Sequence, residues 1–128
     1  MGKALIVCAG IFLCLATGLG AYASHGLVGV LDARALSSFG TAVDYQFYHG
    51  LGLFGVGVLL DRYPAARALR IAGVLFMAGI VLFCGSIYLT TLGAPAAFGR
   101  AAPAGGIAFI VGWIALALGA ATLPKRSD

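Results

Sequence analysis

The chain has 128 residues, 62% of them hydrophobic and 9% charged, and a mean hydropathy of +1.05. Soluble domains run at about half apolar and a quarter charged, so this composition belongs in a membrane, with room for one compact helical domain and no separate soluble one. The net charge of +4 does not point to nucleic acid, because the basic residues are divided among the two ends and one short turn, without aromatic residues interleaved on a common face.

Lys3 precedes an apolar run from Ala4 to about Ala23. A basic start, an apolar stretch and Ala21-Tyr22-Ala23 are also the marks of a cleavable signal peptide, but the run is longer than the usual h-region of about 7–15 residues. It is expected to stay in place as the first span, residues 4–24. Within it Gly10, Cys14, Thr17, Ala21 and Ser24 follow at alternating steps of four and three, a seam of small residues that lets helix backbones approach closely in lipid. His25 closes the span.

Residues 26–40 contain Asp32 and Arg34, with Val28, Leu31, Ala35 and Phe39 at helical spacing. Asp32 is suited to cap a helix starting at Ala33. The segment reads as a short interfacial helix leading into the second span, or as the start of one continuous helix from Ala33 to Leu60.

The second span, residues 41–60, has about the length that crosses a hydrocarbon core of roughly 30 Å. Wound as a helix it places Val43, Phe47, Leu51, Phe54 and Val58 on one arc, suited to lipid. Thr41, Asp44, Tyr45, Tyr48, His49, Gly52 and Gly55 fall opposite, where ionisable groups turn toward protein or water. Pro64 ends this helix. The third span, residues 69–92, carries Gly79, Phe83, Ser86, Thr90 and Gly93 on one face, with Tyr88 near its far end. A loop with Pro95, Arg100 and Pro103 follows. The last span, residues 105–123, repeats Gly105, Ala108, Gly112, Ala115, Gly119 and Thr122 at heptad spacing, which predicts a close, left-handed crossing.

The fold class is therefore an all-α membrane protein, a four-helix transmembrane bundle. Lys3, Arg62, Arg67, Arg70, Lys125 and Arg126 fall on one side of it and only Arg34 and Arg100 on the other, which puts both termini in the cytoplasm. The polar intramembrane groups then lie toward the outer surface. His25, Tyr45 and His49 are expected to meet there, Ser86, Tyr88 and Thr90 to join them from the third span, Arg100 to hang above, and Asp44 to reach the headgroup region. Such a cluster is either a network holding the helices in register or a pocket for a small solute, ion or lipid. The inner halves of the spans are dry, which fits a closed pocket better than a pore.

Other chemistries are weaker. Two histidines can ligate haem, but close small-residue helices leave no slot for it; His25, His49 and Asp44 make only a marginal zinc set. Cys8, Cys14 and Cys84 match no metal or disulfide pattern. No nucleophile and base pairing and no phosphate loop is present, so neither enzymatic activity nor a cofactor is expected. Lipid is the expected partner, and the abundance of glycine seams points to a homo-oligomer.

Four stretches, GAYASHGL at Gly20, TAVDYQFYHGL at Thr41, LFCGSIYL at Leu82 and PAGGIAFIVGW at Pro103, occur in an order that resembles the YgdD/YwdK-like family of small bacterial membrane proteins, related to a small eukaryotic transmembrane protein and described as a domain of unknown function. The resemblance covers almost the whole chain and implies a four-span inner-membrane protein without an established activity. The family's pattern falls on His25, Tyr45, His49, Ser86, Tyr88, Gly105, Gly106 and Trp113, and leaves position 44 open, acidic in some relatives and basic in others.

Overall fold

The computed structural model describes residues 1–124, and these build four long helices. α1 is Gly2–His25 and α2 is Ala33–Arg62. α3 is Arg67–Thr91, interrupted by one π-helical turn at Ile80–Cys84, and α4 is Ala102–Ala121, entered through a 3-10 turn at Ala96–Ala101. No strand occurs among the described residues; the α1–α2 loop has one isolated bridge, between Val28 and Leu31.

The separate interfacial helix expected before the second span does not exist. Asp32 accepts a hydrogen bond from the Ala35 N–H at 2.8 Å, and from this cap a single helix of 30 residues runs through Gly40 without a break. Gly40 has open space around it, and the buried positions Phe39, Ala42 and Val43 continue one stripe across it, so nothing favours a bend there. α2 stops before Pro64, whose carbonyl accepts two donors of the Arg70 guanidinium and ties the short turn to the start of α3.

α1, α3 and the stretch Ala96–Ala121 are long and apolar enough to cross a membrane. Most of their large apolar side chains face outward, among them Val7, Ile11, Leu15, Val81, Ile107, Ile110 and Leu118. In water such a surface would aggregate; in a bilayer it is the solvated one. α2 is longer than any of these but less apolar, because Asp44, Gln46, His49 and two tyrosines dilute its middle.

The helices pack as two antiparallel hairpins, α1 on α2 and α3 on α4, joined mainly through α2 on α3. Glycine sets the closest approaches. A methyl group at Gly2 would lie 2.6 Å from the Asp61 nitrogen, and one at Gly57 would lie 2.7 Å from Ile6. In the other hairpin Gly105 meets the Phe83 backbone, Gly112 the Phe76 ring and Gly119 the Leu69 side chain, so the α4 seam faces α3. Van der Waals contact at this range holds helices together where lipid removes the hydrophobic drive. Lys3, Arg62, Arg67 and Arg70 gather at one end of the bundle, Arg34 and Arg100 at the other, while Lys125 and Arg126 lie outside the described residues.

The α1 seam turns the other way from the sequence expectation. Gly10, Cys14 and Thr17 are exposed, with Ala21 and Ser24, whereas Gly2, Leu5, Ala9 and Ala16 face the protein. Leu5 and Ala9 interlock with Leu53 and Val56 in a core that also holds Leu60, Leu69, Ala72 and Phe76. Bulk wins here because Leu5 reaches over Gly73 of α3, a contact that a glycine face could not make. A second, smaller cluster at the opposite end seats Leu27 from the loop against Phe39 and Val43.

Candidate functional site

The polar centre of the bundle is Gln46, which the sequence reading passed over. It is buried on the inward stripe of α2 together with Ala42, Val43, His49 and Leu53. Its Nε2 donates to the Phe12 carbonyl of α1 at 2.8 Å, and its Oε1 accepts from the Tyr88 hydroxyl of α3 at 2.9 Å. A carbonyl can only accept, so the Phe12 contact fixes which end of the amide is nitrogen. One side chain thus links three helices. The Tyr88 ring also packs on Phe39, with centroids 4.8 Å apart.

One turn further along α2, His49 sits in a box of rings. Its imidazole stacks on Phe109 of α4 with centroids 3.4 Å apart and planes 14° apart, meets Phe76 of α3 edge-on, and has Tyr45 at 5.7 Å and Trp113 at 6.0 Å. Nδ1 lies 2.6 Å from the Tyr45 carbonyl. Because that carbonyl accepts, Nδ1 carries the proton, and in the neutral ring Nε2 is the acceptor. Tyr45 itself leans over Phe83, partly exposed at 39%, and Trp113 covers Gly52, where a side chain would strike its ring at 3.0 Å.

The pocket expected among His25, Tyr45, His49 and Ser86 is not formed. Phe12 and Leu13 are level with Gln46 and Gly50, so His25, twelve residues beyond Leu13 on α1, stands about 18 Å farther along the bundle axis than His49. His25 is exposed at the end of its helix, as are Asp44 and Arg100 on their own elements. Ser86 is buried but bonds back to the Phe83 carbonyl, and Thr90 and Thr91 bond back within α3 in the same way. The two histidines therefore cannot share a haem or a zinc ion, and no cluster of three metal-ligating side chains exists among the described residues. Replacing His25 with alanine should leave thermal stability within about 0.5 kcal/mol, whereas His49→Ala, which empties the centre of the ring stack, should cost about 2 kcal/mol; melting both variants in one detergent checks the contrast.

Every enclosed polar side-chain atom among the described residues has a hydrogen-bond partner. No enclosed polar atom among them is left to hold a ligand, and the open space lies at the outside of the bundle. An almost wholly apolar cleft of about 470 Å³ runs along α3 beside the 3-10 turn, lined by Val81, Leu82, Gly85, Ser86, Tyr88, Leu89, Phe98 and Ala101. A polar cleft of about 480 Å³ lies between the start of α2 and the end of α3, with Arg34, Ser38 and Thr90 in its wall.

The family described as "Protein of unknown function (DUF423)" matches residues 19–106, from the end of α1 to the start of α4. The chain belongs to the DUF423 family. Among relatives, the UPF0382 membrane protein YwdK of Bacillus subtilis is 41% identical over 118 residues, covering 92% of this chain and 96% of its own. The UPF0382 membrane protein of Staphylococcus saprophyticus is 38% identical, covering 91% and 96%, and that of Haemophilus influenzae 37%, covering 84% of each. No solved structure matches the chain. These DUF423 relatives are named membrane proteins, in keeping with the membrane-length apolar helices of this chain; Gln46, Tyr88, His49 and Phe83 all lie within the matched region, Phe109 and Trp113 just beyond it.

Proposed function

We propose that the chain is a four-span, non-enzymatic protein of the bacterial inner membrane, both termini cytoplasmic, which binds the acyl part of a lipid in the cleft beside α3. The cleft carries this reading: its volume, about 470 Å³, is within the roughly 300–1,000 Å³ of small-molecule sites, and its lining is apolar except for a satisfied serine and tyrosine. The closed core argues against passage of a solute. α2 counts as a span because it lies antiparallel along the whole of α1, from Gly57 beside Ile6 to Val43 beside Gly20. The excess of Lys and Arg at the end holding Lys3, Arg62, Arg67 and Arg70 supports the orientation.

The test fills the cleft. Gly85 lines it, and a side chain there meets nothing within 4 Å. Gly85→Leu should fold as well as the parent, since leucine also favours helix by about 1 kcal/mol, yet lose its lipid. Native mass spectrometry from mild detergent should show one retained lipid on the parent and several-fold less on the variant. Equal retention by both removes the cleft as the site.

A second reading, assembly partner of a larger membrane complex or of further copies of itself, is favoured by the outward face of α1. Gly10, Cys14 and Thr17 lie there with open space around Gly10. In the same spectra, absence of lipid together with a stoichiometric protein adduct supports this alternative.

A further inference from the structure

The His49 imidazole has one nitrogen that the chain leaves unused. Nδ1 is engaged with the Tyr45 carbonyl, and no group among the described residues donates to Nε2. Since every enclosed polar side-chain atom among those residues is partnered, Nε2 is not enclosed. It keeps some exposure, although the residue as a whole is only 5% exposed.

Its depth makes this matter. Gly50, the next residue, abuts Leu13, the middle of the 24-residue α1, so His49 lies near the midplane of the span. Water is scarce there, and a hydrogen-bonding group left without a partner in hydrocarbon costs several kcal/mol. Two partly exposed rings stand near the imidazole, Tyr45 at 5.7 Å and 39% exposed and Trp113 at 6.0 Å and 43% exposed, and Phe109 stacks on it.

These features select a ligand by chemistry. A lone-pair acceptor requires a donor, and a hydroxyl is the donor that a neutral, lipid-soluble ring carries most simply. Aromatic walls favour a flat ring, through offset or edge-to-face contact. A midplane position admits only what dissolves in the bilayer. We infer that His49 Nε2, on an imidazole with Tyr45 and Trp113 close by, accepts a hydrogen bond from the ring hydroxyl of a lipid-soluble phenol or hydroquinone. The site shares no residue with the acyl cleft beside α3, and its fate is independent of that reading.

Trp113 is the chain's one tryptophan and lies 6.0 Å from the imidazole, so its fluorescence reports on occupancy. The probe is a long-chain bromophenol, added to the full chain in phosphatidylcholine nanodiscs beside its O-methyl ether, which partitions and quenches alike but has no hydroxyl to donate. Quenching by the phenol should saturate, with a midpoint about fivefold or more below that of the ether, the ratio a single hydrogen bond supplies. His49→Phe keeps the ring stack and deletes the acceptor, and should erase the preference. Equal quenching by phenol and ether in the parent overturns the inference without recourse to any variant. That is also the outcome if a second copy of the chain already caps Nε2. A preference that persists in His49→Phe overturns it as well.

Discussion

Gly105→Leu should separate α3 from α4 and cost the fold about 3 kcal/mol or more. A Cβ at this position would overlap the Phe83 nitrogen and come within 2.9 Å of the Phe83 Cα, and backbone in the middle of a spanning helix cannot swing aside. Gly112 and Gly119 are close too, but to a ring and to the tip of a leucine, which can move. The alanine series gives the sharper measurement. Alanine gains about 1 kcal/mol of helix propensity over glycine, so Gly10→Ala, in open space, should be neutral or stabilising, and Gly119→Ala close to neutral. At Gly105 overpacking of about 1–3 kcal/mol outweighs that gain and the sign reverses. Thermal unfolding in detergent, or steric trapping in bicelles, reads the order. A Gly105→Ala variant as stable as Gly10→Ala would show that the hairpin does not depend on this approach.

Gln46→Leu should cost about 2–4 kcal/mol. It deletes two interhelical hydrogen bonds, each worth about 0.6 kcal/mol on average in membrane proteins, and it leaves the Tyr88 hydroxyl without its acceptor, a penalty of about 1–3 kcal/mol. The Phe12 carbonyl loses less, because it sits within α1 and keeps its helical partner. A double-mutant cycle separates the terms. Tyr88→Phe alone should destabilise, whereas in the Gln46→Leu background it should be neutral or restore stability, since it removes the orphaned group; the coupling should be about 1 kcal/mol. Strict additivity of the two single changes would mean that the bond between them contributes nothing to the fold.

The α4 glycine heptad was legible because the α4 helix offers no competing stripe: small residues recur there at every contact position, and α3 lies against them. The same device misled on α1. In water a small-residue stripe beside large apolar ones has only one way to face, but lipid accepts leucine and glycine alike, so Gly10 and Cys14 carry no sign of direction. Residues 26–40 left an interfacial helix and one continuous helix from Ala33 both open; the Asp32 cap holds, and the buried stripe through Phe39 and Val43 carries the helix on without a break, so the continuous reading is the one formed. On α2 the rule that ionisable groups turn inward took in Asp44 and Tyr48, both exposed, and left out Gln46. Following the spacing Ala42, Gln46, His49, Leu53, Val56 and Leu60 would have found it, since a neutral amide at a contact position is the group that interhelical hydrogen bonding uses. His25 and His49 were joined because the charge count put both toward the outer surface; the antiparallel register of α1 and α2 decides the matter, and no property of either residue alone encodes it.

The arrangement in two hairpins bears on how the chain enters the bilayer. α1 and α2 have their tightest contacts, Gly2 with Asp61 and Ile6 with Gly57, at the very ends of the pair, so the first hairpin can zip shut as soon as Arg62 has left the ribosome, before α3 exists. The second hairpin closes on its own glycines in the same fashion. What remains for last is the joint between them, made of the apolar core shared by Leu5, Leu53 and Val56 with Ala72 and Phe76, the rings around His49 and one bond from Tyr88. Biogenesis then reduces to inserting two prefabricated halves and docking them, and the docking plane is where the finished bundle yields first.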